Sequence, residues 1–306
     1  MTRDISYTPE EVAKILKISR FTVYELIKRG ELAAYRIGRK VRVEEKDLEA
    51  YKHHGKGLPA VEPRNETIPT RVSGGESLVI CGQDVVLDIL TRHLERRQVR
   101  FLRTYIGSID GLMALYRGEA NVATTHLWDS DSGQYNLPYI RRMLPGHPTV
   151  VFNLVYRMEG FYVAKGNPKR IHTWTDLATG VRFINRERGS GARVLLDEQL
   201  RKLSMDRYSI KGYGQEEMSH VAVASKVARG EADVGLGIEK AALQVQEVEF
   251  IPLQQERYDL VLRREDMDKP PFQALLAAIR SPAFREEVSG LGGYDVSRMG
   301  ELMGEV

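Results

Sequence analysis

One hexapeptide pattern occurs twice in this chain, 112 residues apart: Arg117-Gly118-Glu119-Ala120-Asn121-Val122 and Arg229-Gly230-Glu231-Ala232-Asp233-Val234. Each copy follows a run with helical spacing, Asp110 to Tyr116 and His220 to Ala228. Small or polar residues come next, Ala123-Thr124-Thr125-His126 in one and Gly235-Leu236-Gly237 in the other. The pattern reads as a helix stopped by glycine, a tight turn, and a short buried strand opening into a loop. The same exit at the same place in two αβ units predicts two similar lobes. Two α/β lobes in one chain face each other across a cleft, and clefts bind small molecules.

A length of 306 residues suits two or three cores. The single cysteine, Cys81, excludes an intramolecular disulfide and fits a reducing compartment. No apolar run approaches bilayer length, and the charged N-terminus enters a helical pattern almost at once. A cytoplasmic protein with no signal peptide and no membrane partner is expected. The formal charge of +3 is unevenly spread: residues 1–56 hold 13 Lys/Arg against 9 Asp/Glu, the remainder 32 against 33. A basic excess confined to a short N-terminal segment is the mark of an appended nucleic-acid-binding module.

In that segment, Thr8-Pro9-Glu10-Glu11 predicts a helix start with Thr8 as N-cap and Glu11 closing a capping box. Val12, Ile15 and Leu16 supply its apolar stripe. Ser19 starts a second helix, Arg20 to Arg29, with Val23, Leu26 and Ile27 inward and Gly30 ending it. Only Lys17-Ile18 separates the two, the spacing of a helix-turn-helix. Ala34 to Ile37, the turn Gly38-Arg39-Lys40, and Val41 to Val43 alternate as a hairpin, and a helix from Glu45 to about Tyr51 closes the unit.

Tyr7 to Tyr51 resembles the excisionase/MerR-like winged helix-turn-helix family, through Thr8-Pro9-Glu10-Glu11-Val12-Ala13, Ser19-Arg20-Phe21-Thr22-Val23-Tyr24, Gly30-Glu31-Leu32 and Tyr35-Arg36-Ile37-Gly38-Arg39. The resemblance implies that the second helix enters the major groove of double-stranded DNA. Ser19, Arg20, Thr22 and Tyr24 would then contact bases or phosphates, and Arg36, Arg39, Lys40 and Arg42 on the wing, with Lys28, would contact phosphates. One such head gives too little contact for specific affinity, so a two-fold homodimer on an inverted repeat is expected.

Residues 1–54 thus form the DNA-binding domain. Residues 55–75 carry Gly55, Gly57, Pro59, Pro63, Pro69, Gly74 and Gly75, a linker composition. His53-His54 lacks a third ligand nearby, and no metal site is expected. From residue 76 to 306 the pattern is α/β. Leu78 to Cys81 reads as a buried strand, Gly82-Gln83-Asp84 as the turn into a helix from Val85 to Arg97, and Val99 to Tyr105 as a second strand before Ile106-Gly107-Ser108. Farther on, Val181 to Ile184 runs through Asn185-Arg186-Glu187-Arg188 into Gly189-Ser190-Gly191 and a helix. Backbone amides and Ser190 at that helix start can ring an anion, with Arg186 and Arg193 flanking it.

This part, about residues 76–280, resembles the type II periplasmic-binding-protein-like fold. It is similar to the domain commonly fused behind a helix-turn-helix and to molybdate- and tungstate-binding proteins. The matching residues are Asn185-Arg186 with Gly189-Ser190-Gly191-Ala192-Arg193, Glu216 to Ala224, Gly230 to Gly237, Gly107-Ser108, His126-Leu127 with Asp129, and Tyr258-Asp259-Leu260. The resemblance implies lobe I at about 76–160 and 254–306 and lobe II at about 161–253, hinged by Phe161 to Lys165 and Tyr258 to Leu262. It implies a ligand set of Gly82, Gln83, Asp84, Gly107, Ser108, Thr124, Thr125, His126, Arg186, Gly189, Ser190, Gly191, Arg193, Ser219 and His220. Cys81 is expected to be a small buried residue, Trp128 and Trp174 packing residues, and Arg141-Arg142 a solvated pair.

The expectation is therefore a one-component transcription regulator sensing a tetrahedral oxyanion, molybdate or tungstate first, with sulfate, phosphate or another small metabolite as alternatives. No cofactor is called for beyond that effector. An enzyme would need an activated nucleophile, a metal cluster or a paired acid and base, and no cleft segment carries such a set. A ligand-independent DNA accessory protein is the remaining alternative, disfavoured by the Gly-Ser-Gly helix start.

Overall fold

The computed structural model describes residues 6–16, 23, 26, 27, 32–37, 40–48, 51 and 77–306. The chain divides into two compact units, Met1–Thr67 and Ile68–Val306.

In the first unit, helix Pro9–Leu16 begins with the expected reciprocal cap: the Thr8 amide donates to the Glu11 carboxylate at 2.7 Å and the Glu11 amide to Thr8 Oγ1 at 3.3 Å. Its buried side follows positions 9, 12, 13 and 16, so Ala13 rather than Ile15 completes the stripe, and Ile15 is 41% exposed. Strand Tyr35–Ile37 pairs antiparallel with Lys40–Glu44, as the hairpin pattern predicts. The other edge of Lys40–Glu44 takes Ser6–Tyr7, a short strand that the sequence pattern did not mark. Val12, Val23, Leu26, Leu32, Val43 and Leu48 pack into one core. The linker and His53-His54 lie outside the described residues.

The second unit is built on two antiparallel strands of 16 residues each, Thr149–Ala164 and Val248–Arg263, paired from Thr149↔Arg263 to Ala164↔Val248. On one side of this ribbon lie parallel strands Val122–Thr125, Leu78–Cys81 and Phe101–Thr104, in that order outward. On the other lie Val234–Ile238, Phe183–Arg186 and Glu216–Glu217. In each set the strand third in sequence pairs antiparallel with the ribbon, the first lies next, and the second is at the edge. The two lobes therefore share one topology.

The repeated hexapeptide makes this equivalence physical. Gly118 (φ +74°) and Gly230 (φ +70°) each end a helix in the left-handed region that glycine enters without strain. Glu119 N donates to Ala114 O at 2.9 Å and Glu231 N to Lys226 O at 3.0 Å, the same closing bond. Ala120 and Ala232 are buried. The next residue ties the exit to the first strand of its own lobe: Asn121 Oδ1 accepts from Val79 N and Asp233 Oδ2 from Arg182 N, both at 2.8 Å. The strand that follows in each copy is the one against the ribbon.

The ribbon crosses between lobes near Arg157 to Glu159, and just inside lobe II Gly160 faces Pro252, beside a register shift between Pro252 and Gln254. A Cβ on Gly160 would lie 2.2 Å from the Ile251 carbonyl oxygen, so the two backbones meet there only because the residue is glycine. The hinge strands are thus longer than the short crossovers expected from sequence. Tyr294–Asp295 and Leu302–Glu305 complete the edge of Thr149–Ala164 inside lobe I. Cys81 is buried, and burial pushes its thiol up to about 11. Trp174 packs edge-on against Phe161 at 5.1 Å, and Trp128 lies in the lobe II core cluster.

Candidate functional site

A cavity of about 420 Å³ lies between the lobes. Four helices of nine or more residues begin at its wall: Val86–Glu95, Ser108–Tyr116, Gly191–Lys202 and His220–Ala228. Their N-cap residues, Val85, Gly107, Ser190 and Ser219, all line it. Parallel strands followed by helices place every helix start at the same edge of the sheet, and the lobes turn those edges toward each other. The positive helix ends thus converge on one space, where the Val86, Ile109, Arg193 and Ala222 amides are taken by Asp84, Gly189, Ser190 and Ser219.

The lobes are in contact across this space. Arg186 of lobe II donates through Nη2 to Gln83 Oε1 of lobe I at 2.7 Å, and Gln83 Nε2 donates to Glu187 Oε1 at 3.3 Å. Ile109 N donates to Gly189 O at 3.0 Å. A Cβ on Gly191 would come within 2.4 Å of the His126 ring, and one on Gly107 within 3.0 Å of the Gly189 carbonyl oxygen. Two glycines at the seam let the backbones meet.

Beneath the cavity is a buried ion-pair network on the ribbon. The Arg157 guanidinium bonds to Asp84 through Nη1 and to Glu256 through Nε, and lies 4.3 Å over the Tyr258 ring. His126 Nδ1 meets Glu256 Oε2 at 2.7 Å. Burial alone would raise the Glu256 carboxyl, but Arg157 and then His126 outweigh it and hold it at about 2. Glu159 is fully buried with no donor on either oxygen among the described residues, and burial followed by the Glu256 charge pushes its carboxyl well above the usual range. A His126 nitrogen and oxygens of Glu159 and Glu256 lie within 4.8 Å of one another. Arg157 already occupies Glu256, so this grouping stands as a hinge network with its own cation. Burial, then the Arg186 and Arg157 charges, depresses His220 well below 6.5, so its ring is neutral near pH 7.

Of the ligand set read from sequence, Gly82, Gln83, Asp84, Gly107, Ser108, Thr124, His126, Arg186, Ser190, Ser219 and His220 line the cavity. Thr125, Gly189, Gly191 and Arg193 do not. Thr125 is fully buried in its strand, next to Thr124 and on the opposite face. Gly189 and Gly191 are used up in the contact between lobes. Arg193 points back along its helix to ion pairs with Asp197 at 3.2 Å and Glu216 at 3.0 Å, with its guanidinium 4.2 Å over Tyr213. Those carboxylates, far along the sequence or one turn away, claim the charge that the sequence assigns to a ligand.

Several expected donors are also committed internally. Thr124 Oγ1 donates to Cys81 O at 2.9 Å and accepts from Tyr258, and Ser190 Oγ donates to Glu187 O at 2.9 Å. Asp84 accepts from Arg157, Tyr294 and the Val86 amide. Ser108 Oγ accepts from the His126 amide at 3.3 Å, and Ser219 Oγ from the Ala222 amide at its own helix start. The sequence reading missed Arg157, Tyr105, Met218 and Tyr294 in the wall. For Arg157 a signal exists: Arg157 and Glu159 interrupt a run of buried apolar residues in one strand.

Of the DNA contacts read from sequence, Ser19, Arg20, Thr22, Tyr24, Lys28 and Arg39 lie outside the described residues, as do the side chains of Arg36 and Lys40. Arg42 is partly buried, with Nη1 4.0 Å from the Glu11 carboxylate. Among the described residues no helix is long and apolar enough to cross a membrane.

Comparison with known proteins agrees with this two-part organisation. Residues 91–280 match the family described as PBP superfamily domain, and residues 6–55 match a helix-turn-helix domain. The chain is 42% identical over 308 residues to the uncharacterized protein YvgK of Bacillus subtilis, covering 99% of both. It is 54% identical over 113 residues to an uncharacterized protein in the ferredoxin 2Fe-2S gene 5′ region of Clostridium pasteurianum, covering 37% of this chain and all of that one. Among solved structures, a candidate phosphate ABC transporter substrate-binding protein with bound phosphate from Clostridium perfringens superposes with a TM-score of 0.53 at 14% identity, covering 73% of this chain and 98% of that one. A mutant of Corynebacterium glutamicum OxyR with hydrogen peroxide bound gives 0.50 at 14% identity over 93% and 89%. At such identity the shared feature is the fold.

Proposed function

Because this chain belongs to the PBP superfamily domain family and carries a helix-turn-helix domain before it, we propose that it is a one-component DNA-binding regulator whose two lobes close on a small anion. The observation that carries this reading is the convergence of four helix N-termini and Arg186 on one cavity between lobes. Such an assembly of amides and positive helix ends selects negative charge. A tetrahedral oxyanion matches donors arriving from several directions. Asp84 has its oxygens engaged by Arg157, Tyr294 and Val86, leaving it little capacity to accept a proton from the ligand. That favours a fully deprotonated dianion, and molybdate and tungstate come first, before sulfate and hydrogen phosphate.

Calorimetry and thermal melting of the full chain with these four ions test the reading. Binding by at least one, with a melting temperature that climbs with its concentration, is expected. No response to any of them, with binding of an uncharged metabolite instead, removes the anion and keeps the cleft.

On the DNA side, residues 1–54 hold the affinity and the protein acts as a two-fold dimer on an inverted repeat. Arg20→Ala with Arg39→Ala should weaken operator binding and flatten its salt dependence by about one unit of slope for each phosphate left unneutralised. Equal binding by the double variant at several salt concentrations, or a footprint of one unrepeated half-site, contradicts this half of the proposal.

A further inference from the structure

The cavity is larger than the ion its inner end is suited to hold. A bare tetrahedral oxyanion displaces about as much space as three or four waters, roughly 100 Å³ at about 30 Å³ per water. The cavity has about 420 Å³, within the ~300–1,000 Å³ range of organic-ligand sites. The lobes already touch beside it, with Gln83 and Arg186 bridging at 2.7 Å and Ile109 bonded to Gly189.

The remaining wall also changes in chemistry. Lobe I contributes Tyr105, 63% exposed, at the end of strand Phe101–Thr104. Lobe II contributes Met218, 66% exposed, and Val221, 41% exposed, around the start of helix His220–Ala228. Among the described residues these large side chains are left open to solvent on both sides of one cavity. The Arg103 guanidinium sits 4.9 Å from the Tyr105 ring centroid, bracing that ring from one face. A tyrosine ring and a thioether are both partners suited to an aromatic face.

We infer that the ligand is an oxyanion carried on a flat organic body, an aryl-type ester, with the charged group among the helix N-termini and the ring against Tyr105, Met218 and Val221. This rests on the anion reading and names the class of molecule that the same site takes. Recognition is divided between two ends: the inner end reads charge, and the rim reads the body. An inorganic ion fills only the first.

The test is calorimetry on the full chain with phenyl phosphate, 1-naphthyl phosphate and phenyl sulfate against inorganic phosphate and sulfate, with molybdate and tungstate alongside. At least one aryl ester should bind ten-fold or more tighter than its own inorganic ion. Tyr105→Ala with Met218→Ala, both at exposed positions, should bring that ratio down to about one. The inference is overturned if every aryl ester binds no tighter than its parent ion, or if the double variant leaves the ratio intact. Molybdate or tungstate binding tighter than every ester, with the rim variant without effect, also overturns it and leaves the anion reading standing. Binding of phenol without any response to the anionic probes removes the anion reading, and with it this inference.

Discussion

Arg186 donates to Gln83 at 2.7 Å, joining a strand end of lobe II to the first turn of lobe I across the cavity. The same guanidinium is held by Glu187, so the cation is positioned before any ligand arrives. Arg186→Ala should weaken the tightest-binding of molybdate, tungstate, sulfate and phosphate by about 10- to 100-fold, from the loss of a charge-assisted bond of about 1.5–3 kcal/mol. Gln83→Ala leaves Arg186 on Glu187 and should lose less than about ten-fold. Calorimetry on both variants checks the order, and a larger effect at Gln83 contradicts it.

Gly191 presents the clearest steric test of closure. A methyl there would come within 2.4 Å of a His126 ring that Glu256 holds in place at 2.7 Å. Gly191→Ala should keep the lobes apart, so that small-angle scattering shows no compaction when ligand is added and affinity falls at least ~10-fold. Gly214→Ala, where a Cβ meets nothing within 4 Å, is the control and should behave as the parent. Compaction in the Gly191 variant equal to the parent would show that His126 yields.

Arg193 belongs to stability in this structure. Its ion pairs to Asp197 and Glu216 and its stacking on Tyr213 hold helix Gly191–Lys202 to strand Glu216–Glu217. Arg193→Ala should lower unfolding free energy by about 1–3 kcal/mol and leave anion affinity within about two-fold. A loss of affinity exceeding that at Arg186 would return Arg193 to the site.

Glu159 makes stability depend on pH in a definite direction. Its carboxyl is raised well above 4.5, first by burial and then by Glu256, so the folded protein keeps a proton that the unfolded chain releases. This contribution is fully present below about pH 4.5 and is lost as pH rises toward the folded value. Glu159→Gln, which is neutral at every pH, should therefore be more stable than the parent at pH 8, on the order of 1–3 kcal/mol. The two should converge near pH 4. Urea unfolding at both pH values measures the difference, and a constant gap contradicts the assignment.

Much of the architecture was legible because it is written locally. The Thr8 cap, the glycine exits at 118 and 230, and strand Leu78–Cys81 are each specified by a few neighbouring residues. The starts of helices at Gly107, Ser190 and Ser219 were legible for the same reason, and with them much of the cavity wall. What sequence did not disclose depends on residues brought together from afar. Arg193 has its partner 23 positions on, Arg157 reaches Asp84 and Glu256 at separations of 73 and 99, and the committed hydroxyl of Thr124 is answered from 134 positions away. A guanidinium beside a helix start looks alike whether it faces a ligand or a carboxylate, and only the fold decides.

The two-strand ribbon also imposes an order on assembly. Lobe II is one uninterrupted stretch of chain between the ribbon strands, so its parallel strands can pair as soon as it leaves the ribosome. Lobe I is split: Val122–Thr125 waits for Asp259–Leu262, and Thr149–Phe152 waits for Leu302–Glu305. Until those late residues emerge, half of the cavity wall lacks its support. A ligand then meets a finished cavity only once Leu302–Glu305 have paired, after lobe II has already folded around its own core.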